Sequence, residues 1–227
     1  MLLKKYAMKS LLLIGVVILF SGCISKKIVP IDKTISQNLP NKTFTFVNRE
    51  LPIKPYVMTP VTVVSMGLFG GIGGAIIGLA DNFSSTENVY TKTPEYYLNA
   101  TLSSYLQKKY KIKYISQDIV TNETAVEDLV KQYSNVDYLI DNRNFKWIVD
   151  YYPFNWGTYG VQYASALQFI DVKNKKVIAQ GYCDFSSKLN EASPTYDELF
   201  KNNNELLKQI TKNAIDECVD KYMKEVF

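Results

Sequence analysis

The chain has 227 residues, 26 Lys+Arg against 22 Asp+Glu, 47% hydrophobic residues, three cysteines and no histidine. That length supplies one domain, or at most two small ones, with a substantial core. The missing histidine excludes Ser-His-Asp and Cys-His nucleophile pairs, the usual catalytic zinc sites and any histidine general base.

Read from the N-terminus, Lys4, Lys5 and Lys9 form a positive patch ahead of an apolar run from Leu11 to Phe20. The run has the length of a signal-peptide core and is short for a membrane span. The next residues, Phe20-Ser21-Gly22-Cys23, resemble the lipobox of bacterial lipoproteins, although Phe20 stands where Leu is commoner. The resemblance implies that residues 1–22 are a lipoprotein signal peptide and that Cys23 becomes the acylated first residue, carrying palmitate-type chains. An ordinary secretory signal or an N-terminal anchor is the alternative. One short acyl chain binds a bilayer marginally, whereas several hold firmly. By resemblance to enterobacterial sorting, Ile24 in place of Asp directs the protein to the periplasmic face of the outer membrane rather than to the inner membrane. Residues 1–22 contain three lysines and no acid, so residues 23–227 carry 23 basic and 22 acidic groups, a net +1. No basic stripe remains for nucleic acid.

Residues 23–42 are polar and interrupted by Pro30 and Pro40, and are expected to form the lipidated N-terminus and a tether to a single α+β domain over 43–227. Thr43 to Val47 alternates as a strand, and Pro52 to Tyr56 is an extended connection. Residues 61–80 form an apolar insertion free of charge, with six glycines. Gly70, Gly74 and Gly78 recur every four residues, and Gly67 and Gly71 share that spacing, which on a helix makes a smooth packing or oligomer face, a glycine zipper. Six interior glycines oppose an isolated helix in water by roughly 5 kcal/mol. Such a helix therefore needs a packed partner or lipid, and the plainer reading is a Gly-rich loop or short helix folded over the domain's own core.

Thr93-Pro94-Glu95 has the form of a helix start, with Thr93 as cap, and the stripe Leu98, Leu102, Tyr105, Leu106 carries that helix to about Tyr110. A short strand over Lys111 to Ser116 follows, then a second helix with Ala125, Leu129 and Val130 inward. Three stretches, 136–151, 159–171 and 176–188, read as an antiparallel meander. Val161, Tyr163, Ser165, Leu167 and Phe169 share one face, as do Val177, Ala179, Gly181, Cys183 and Phe185. A long helix from about Tyr196 to the C-terminus presents Leu199, Leu206, Leu207, Ile210, Ala214, Cys218, Tyr222 and Val226 to the sheet. The fold class is α+β, a mostly antiparallel sheet (meander 136–188) with helices packed on one face.

Cys183 and Cys218 fall on facing apolar surfaces, and an envelope compartment is oxidising, so a disulfide between them is expected. It would close a loop of about 35 residues and contribute on the order of 3–4 kcal/mol. Two buried free thiols are the alternative. Asp137, Asp141 and Asp150 read as exposed edge residues, and no motif for catalysis, metal or cofactor is present. The turn 151–159 holds five aromatics, among which Tyr152, Phe154 and Trp156 would contact a partner or the membrane if exposed, and would close the end of the sheet if packed.

The Met58 to Gly78 stretch, the Asn155-Trp156-Gly157-Thr158-Tyr159 turn, the Gly181-Tyr182-Cys183 strand and the Ala192 to Leu199 segment before Glu217-Cys218 together resemble a family of uncharacterised bacterial lipoproteins. That resemblance implies location and a cysteine pair, with no activity. The expected function is a non-enzymatic, lipid-anchored envelope protein of binding or accessory type, a component of a membrane or envelope assembly. It meets the membrane through Cys23, has an envelope protein as partner, and needs no cofactor. The alternative is membrane insertion or homo-oligomerisation through segment 61–80.

Overall fold

The computed structural model describes residues 27–49, 55–58, 92–152, 157–187 and 192–227. Its elements in chain order are α1 (Lys33–Gln37), β1 (Thr43–Phe46), β2 (Tyr56–Val57), α2 (Pro94–Tyr110), β3 (Lys113–Tyr114), α3 (Val126–Gln132), β4 (Tyr138–Tyr151), β5 (Tyr159–Asp171), β6 (Lys176–Ser186) and α4 (Tyr196–Glu225). The expectations placed on Cys23, on Gly67, Gly70, Gly71, Gly74 and Gly78, and on Phe154 and Trp156 lie outside the described residues.

The fold is α+β around one six-stranded sheet of order β3-β1-β4-β5-β6, with β2 also on β4. The meander is antiparallel, registered from Tyr138↔Asp171 to Tyr151↔Tyr159 and from Asp171↔Lys176 to Gln162↔Ser186. The N-terminal strands run differently: β1 and β2 are both parallel to β4, and β3 is parallel to β1. Parallel neighbours need crossovers, and α2 and α3 supply the helices between β1, β3 and β4. Because β5 occupies the whole of one β4 edge, β1 and β2 share the other, β1 at residues 138–140 and β2 at 148–149. Between them the middle of this second edge of β4 lacks a strand partner among the described residues.

Each helix follows from its sequence. Thr93 caps α2 by accepting from the Tyr96 N–H, Pro94 needs no donor at the first turn, and Lys111 ends the helix in the left-handed region at φ 56°. Leu98, Leu102 and Leu106 of α2, with Leu207, Ala214, Cys218 and Tyr222 of α4, bury one face of the sheet over Phe44, Ile140, Leu167 and Phe169. Each buried leucine, isoleucine or phenylalanine among them contributes about 1.5–3 kcal/mol by leaving water. The short α3 lies on the opposite face, where Leu129 and Val130 meet Val47, Leu139 and Ile170.

Three departures from the sequence reading have physical causes. Helix α4 is broken: Lys201 is extended, and Asn202, Asn203 and Asn204 are all left-handed at φ 51–61°. Asparagine enters that region more readily than most side chains, and the break still lets Leu199 and Leu207 reach the same core. A register shift between Phe169 and Ile170 turns Val177 away from Ala179 and onto the α3 face. Residues 27–42, expected as a tether, pack on the domain. Val29 pairs with Gln180 of β6, the Ile31 N–H donates to the Val226 carbonyl at 2.8 Å, and Leu39 is buried.

Candidate functional site

Cys183 and Cys218 are joined in a disulfide with a Cα–Cα distance of 5.3 Å. Both are buried, and the bridge links β6 to α4 inside the main core. Around it, Tyr222 donates its hydroxyl to the Ser165 carbonyl at 2.9 Å and lies 2.7 Å from Ser165 Oγ. Gly181 passes so close to Tyr222 and Val226 that no side chain fits between them.

Of the aromatic turn, Tyr152 is half-buried and its N–H donates to the Thr158 carbonyl at 2.9 Å. Tyr151 and Tyr159 stack edge to face at 5.4 Å, and Tyr159 does the same with Tyr196 at 5.8 Å. These flanking rings close that end of the sheet against the start of α4.

The middle of β4 holds a feature not foreseen from the sequence. Asp141, read as an exposed edge residue, is fully buried. Its Oδ1 accepts from Arg49 Nε at 3.2 Å and Nη2 at 2.9 Å. Its Oδ2 accepts from Arg143 Nε at 2.7 Å, and Arg143 also donates to the Thr124 carbonyl. Burial is tolerated because both carboxylate oxygens are occupied by guanidinium donors. Asp137 is also engaged, accepting from the Thr43 N–H and hydroxyl and from Lys42. Asp150 accepts from Gln162.

Beside this ionic cluster a cleft of about 620 Å³ opens between the first half of α2 and the β1–β3 edge. Glu95 lies in its wall, 4% exposed, and its Oε1 has no hydrogen-bond partner among the described residues. Burial first, and the neighbouring Asp141 charge second, push the Glu95 carboxyl up to about 8, with Arg49 partly opposing them. Glu95 is therefore mostly protonated at neutral pH. One helical turn on, Asn99 accepts from Asn142 Nδ2 at 3.1 Å, while Asn142 Oδ1, fully buried, has no partner. Tyr96 and Tyr114 stand at the rim, 50% and 38% exposed, and Lys92 Nζ sits 4.2 Å from the centre of the Tyr96 ring.

The site combines the buried acid Glu95 with amide groups and aromatic rings, which suits binding. A hydrolase working with carboxylates alone needs a second available acid facing the first. Asp141 has both oxygens engaged and no exposure, and Asp118 lies exposed at the rim. Sequence reasoning missed Glu95 because an acid in the first turn of a helix is unremarkable. Its spacing to Leu98, Leu102 and Leu106, however, places it on the buried stripe.

No known protein family matches the sequence, and no curated protein matches it. Among solved structures, the chain is similar to the PelC dodecamer from Paraburkholderia phytofirmans, with 9% identity over 88% of this chain and 96% of that one and a TM-score of 0.42. It is similar to the hypothetical protein CT253 from Chlamydia trachomatis, with 7% identity over 80% and 97% and a TM-score of 0.39. The lipoprotein GNA1162 from Neisseria meningitidis overlaps at 10% identity over 75% and 99%, with a TM-score of 0.29. Likenesses of this extent assign neither family nor activity to the chain.

Proposed function

We propose that this chain is a lipid-anchored bacterial envelope protein that works by binding, as an accessory component of an envelope assembly, and that it is not an enzyme. The observation that carries this reading is the Cys183–Cys218 disulfide in the middle of the core. A bridge of that kind belongs to an oxidising compartment, which is where the signal segment and Cys23 would deliver the domain. The absence of histidine from the whole sequence supports a non-catalytic role. The periplasmic face of the outer membrane is the proposed location, with Tyr152, Phe154 and Trp156 as a proposed partner or membrane contact. The test is mass spectrometry of protein from the producing cell, with an N-terminal peptide beginning at acylated Cys23 expected. An intact Met1 or an unmodified Cys23 thiol overturns the reading. Crosslinking and pull-down from the native envelope then identifies the partner.

A second reading rests on residues 61–80, twenty uncharged residues with glycines at helical spacing. Gly67, Gly70, Gly71, Gly74 and Gly78 would then form the interface of a membrane-inserted or homo-oligomeric segment. A Cys23→Ala variant exported by a different signal separates the two. Carbonate-resistant membrane association supports insertion, and release into the soluble fraction supports the tethered domain.

A further inference from the structure

The Glu95 cleft carries an inference that does not depend on the lipid anchor. We propose that it binds the primary ammonium group of an organic cation, with Glu95 as its counter-ion and Tyr96 and Tyr114 as flanking rings.

The argument starts from donors and acceptors. A buried polar atom without a partner costs about 1–3 kcal/mol, and native structures retain few of them. Of the residues that line the cleft, Glu95 carries a buried side-chain oxygen, Oε1, without a partner. Once ionised, the Glu95 carboxylate is an acceptor that no donor of the described residues meets at Oε1. A ligand that completes it brings several N–H groups on one atom, which is what an alkylammonium does with its three donors.

The field agrees with this sign. The charges facing Glu95 are Asp141 of β4 and Arg49, just after β1, and the charge of Asp141 outweighs that of Arg49 at the Glu95 carboxyl. Arg49 presents both Nε and Nη2 to Asp141, and Arg143 holds the other Asp141 oxygen, so this arginine is already committed to an internal anion. At the rim Lys92 and Asp118 carry opposite charges, and the Lys92 ammonium rests on the Tyr96 ring. That contact is an internal example of the attraction between a cation and the same aromatic face. At about 620 Å³ the cleft is in the range of small-molecule sites.

Binding is coupled to proton release, because the empty site holds Glu95 mostly protonated at pH 7 and an ammonium ligand favours the carboxylate. Affinity should therefore tighten by up to about tenfold from pH 6 to pH 7 and level off above about pH 8.

The experiment is calorimetric titration of the full chain in a neutral detergent, in two buffers of different ionisation enthalpy. The probes are cadaverine, for a free amine, and Nα-acetyl-lysine methylamide, for a lysine side chain of a partner protein; 1-pentanol and acetate are the controls. The expected result is saturable binding of one or both amines, release of most of one proton at pH 7, and the stated pH profile. Which probe binds tells a free amine from a protein lysine. Glu95→Gln should abolish the proton release and weaken binding at least tenfold. Tyr96→Ala, at an exposed position, should weaken it several-fold without touching the core. No saturation by either amine up to about 10 mM, equal binding of 1-pentanol, preference for acetate, or an affinity flat between pH 6 and 8 each overturns the proposal. A failure here leaves acylation of Cys23 intact, and a failure of acylation leaves this binding intact, so the two are separable.

Discussion

Replacing Gly181 by alanine puts the contact between β6 and α4 to a direct test. A Cβ at this position would lie 2.7 Å from both Cδ1 and Cε1 of Tyr222 and 2.8 Å from Cγ2 of Val226. Carbon atoms do not approach that closely, so the ring, the helix or the strand must move. The ring is not free to do so, because its hydroxyl is bonded to Ser165 inside the core. The helix is pinned a turn earlier by the bridge from Cys218 to Cys183. Overpacking of this kind costs about 1–3 kcal/mol, and loss of the Tyr222 hydroxyl bonds adds about 1 kcal/mol each. Removing a strand glycine returns about 0.5–1 kcal/mol. The expected net destabilisation is about 2–3 kcal/mol. Urea unfolding of the oxidised protein should show the midpoint falling by about 1 M with an unchanged slope, given slopes of about 1–3 kcal/mol/M. Tyr222→Phe sharpens the test. If alanine displaces the ring, losing the hydroxyl costs much less in the Gly181→Ala background than in the parent, a coupling of about 1 kcal/mol. A midpoint equal to or above that of the parent refutes the reasoning, as does strict additivity of the two substitutions.

Arg49→Ala should destabilise by about 3–5 kcal/mol, measured by the same unfolding assay, because it leaves half of a buried carboxylate unmatched. Arg49→Lys should restore only part of the loss, since an ammonium cannot reproduce the two-donor contact with Asp141 Oδ1. Reducing the Cys183–Cys218 bond, or replacing both cysteines by alanine, should remove about 3–4 kcal/mol, and thiol labelling of unfolded, unreduced protein should find neither residue reactive. Glu95 governs a pH dependence of definite sign. Its folded-state carboxyl is raised from 4.5 to about 8, so between these values the folded state holds a proton that the unfolded state has lost. Stability therefore falls as pH rises through that window, by at most about 1.4 kcal/mol per pH unit. Glu95→Gln should flatten this slope between pH 5 and 8, and equal slopes in parent and variant would refute the assignment.

Much of the frame was readable from pattern alone. Thr93-Pro94 announces α2, and the alternation of Val161, Tyr163, Ser165, Leu167 and Phe169 gives β5 and its buried face. The cysteine pair was legible because each residue falls on the apolar side of its own element. What escaped depends on contacts distant in sequence or on single-residue irregularities. The strand period says that Asp141 alternates but not that Arg49 and Arg143 close over it, and one extra residue at 178 is enough to invert Val177. One signal was present and unused: the chain has 24 lysines and only two arginines, and both arginines hold Asp141. A sequence that elsewhere relies on lysine places a planar, two-pronged donor where geometry has to be fixed. The run Asn202-Asn203-Asn204 also marked a break that the leucine stripe concealed.

The pairing of Val29 with Gln180 also limits how far the folded body could operate from its membrane. Five residues lie between Cys23 and Val29, a stretch of chain reaching at most about 21 Å when fully drawn out. With Cys23 fatty-acylated, the edge of β6 that pairs with Val29 would stay close to the lipid headgroups. A protein moored on so short a leash could not patrol the width of a periplasm. Any partner would have to come to it at the bilayer surface, and lengthening that leash by a dozen flexible residues would change which partners it meets without altering a single contact in the fold.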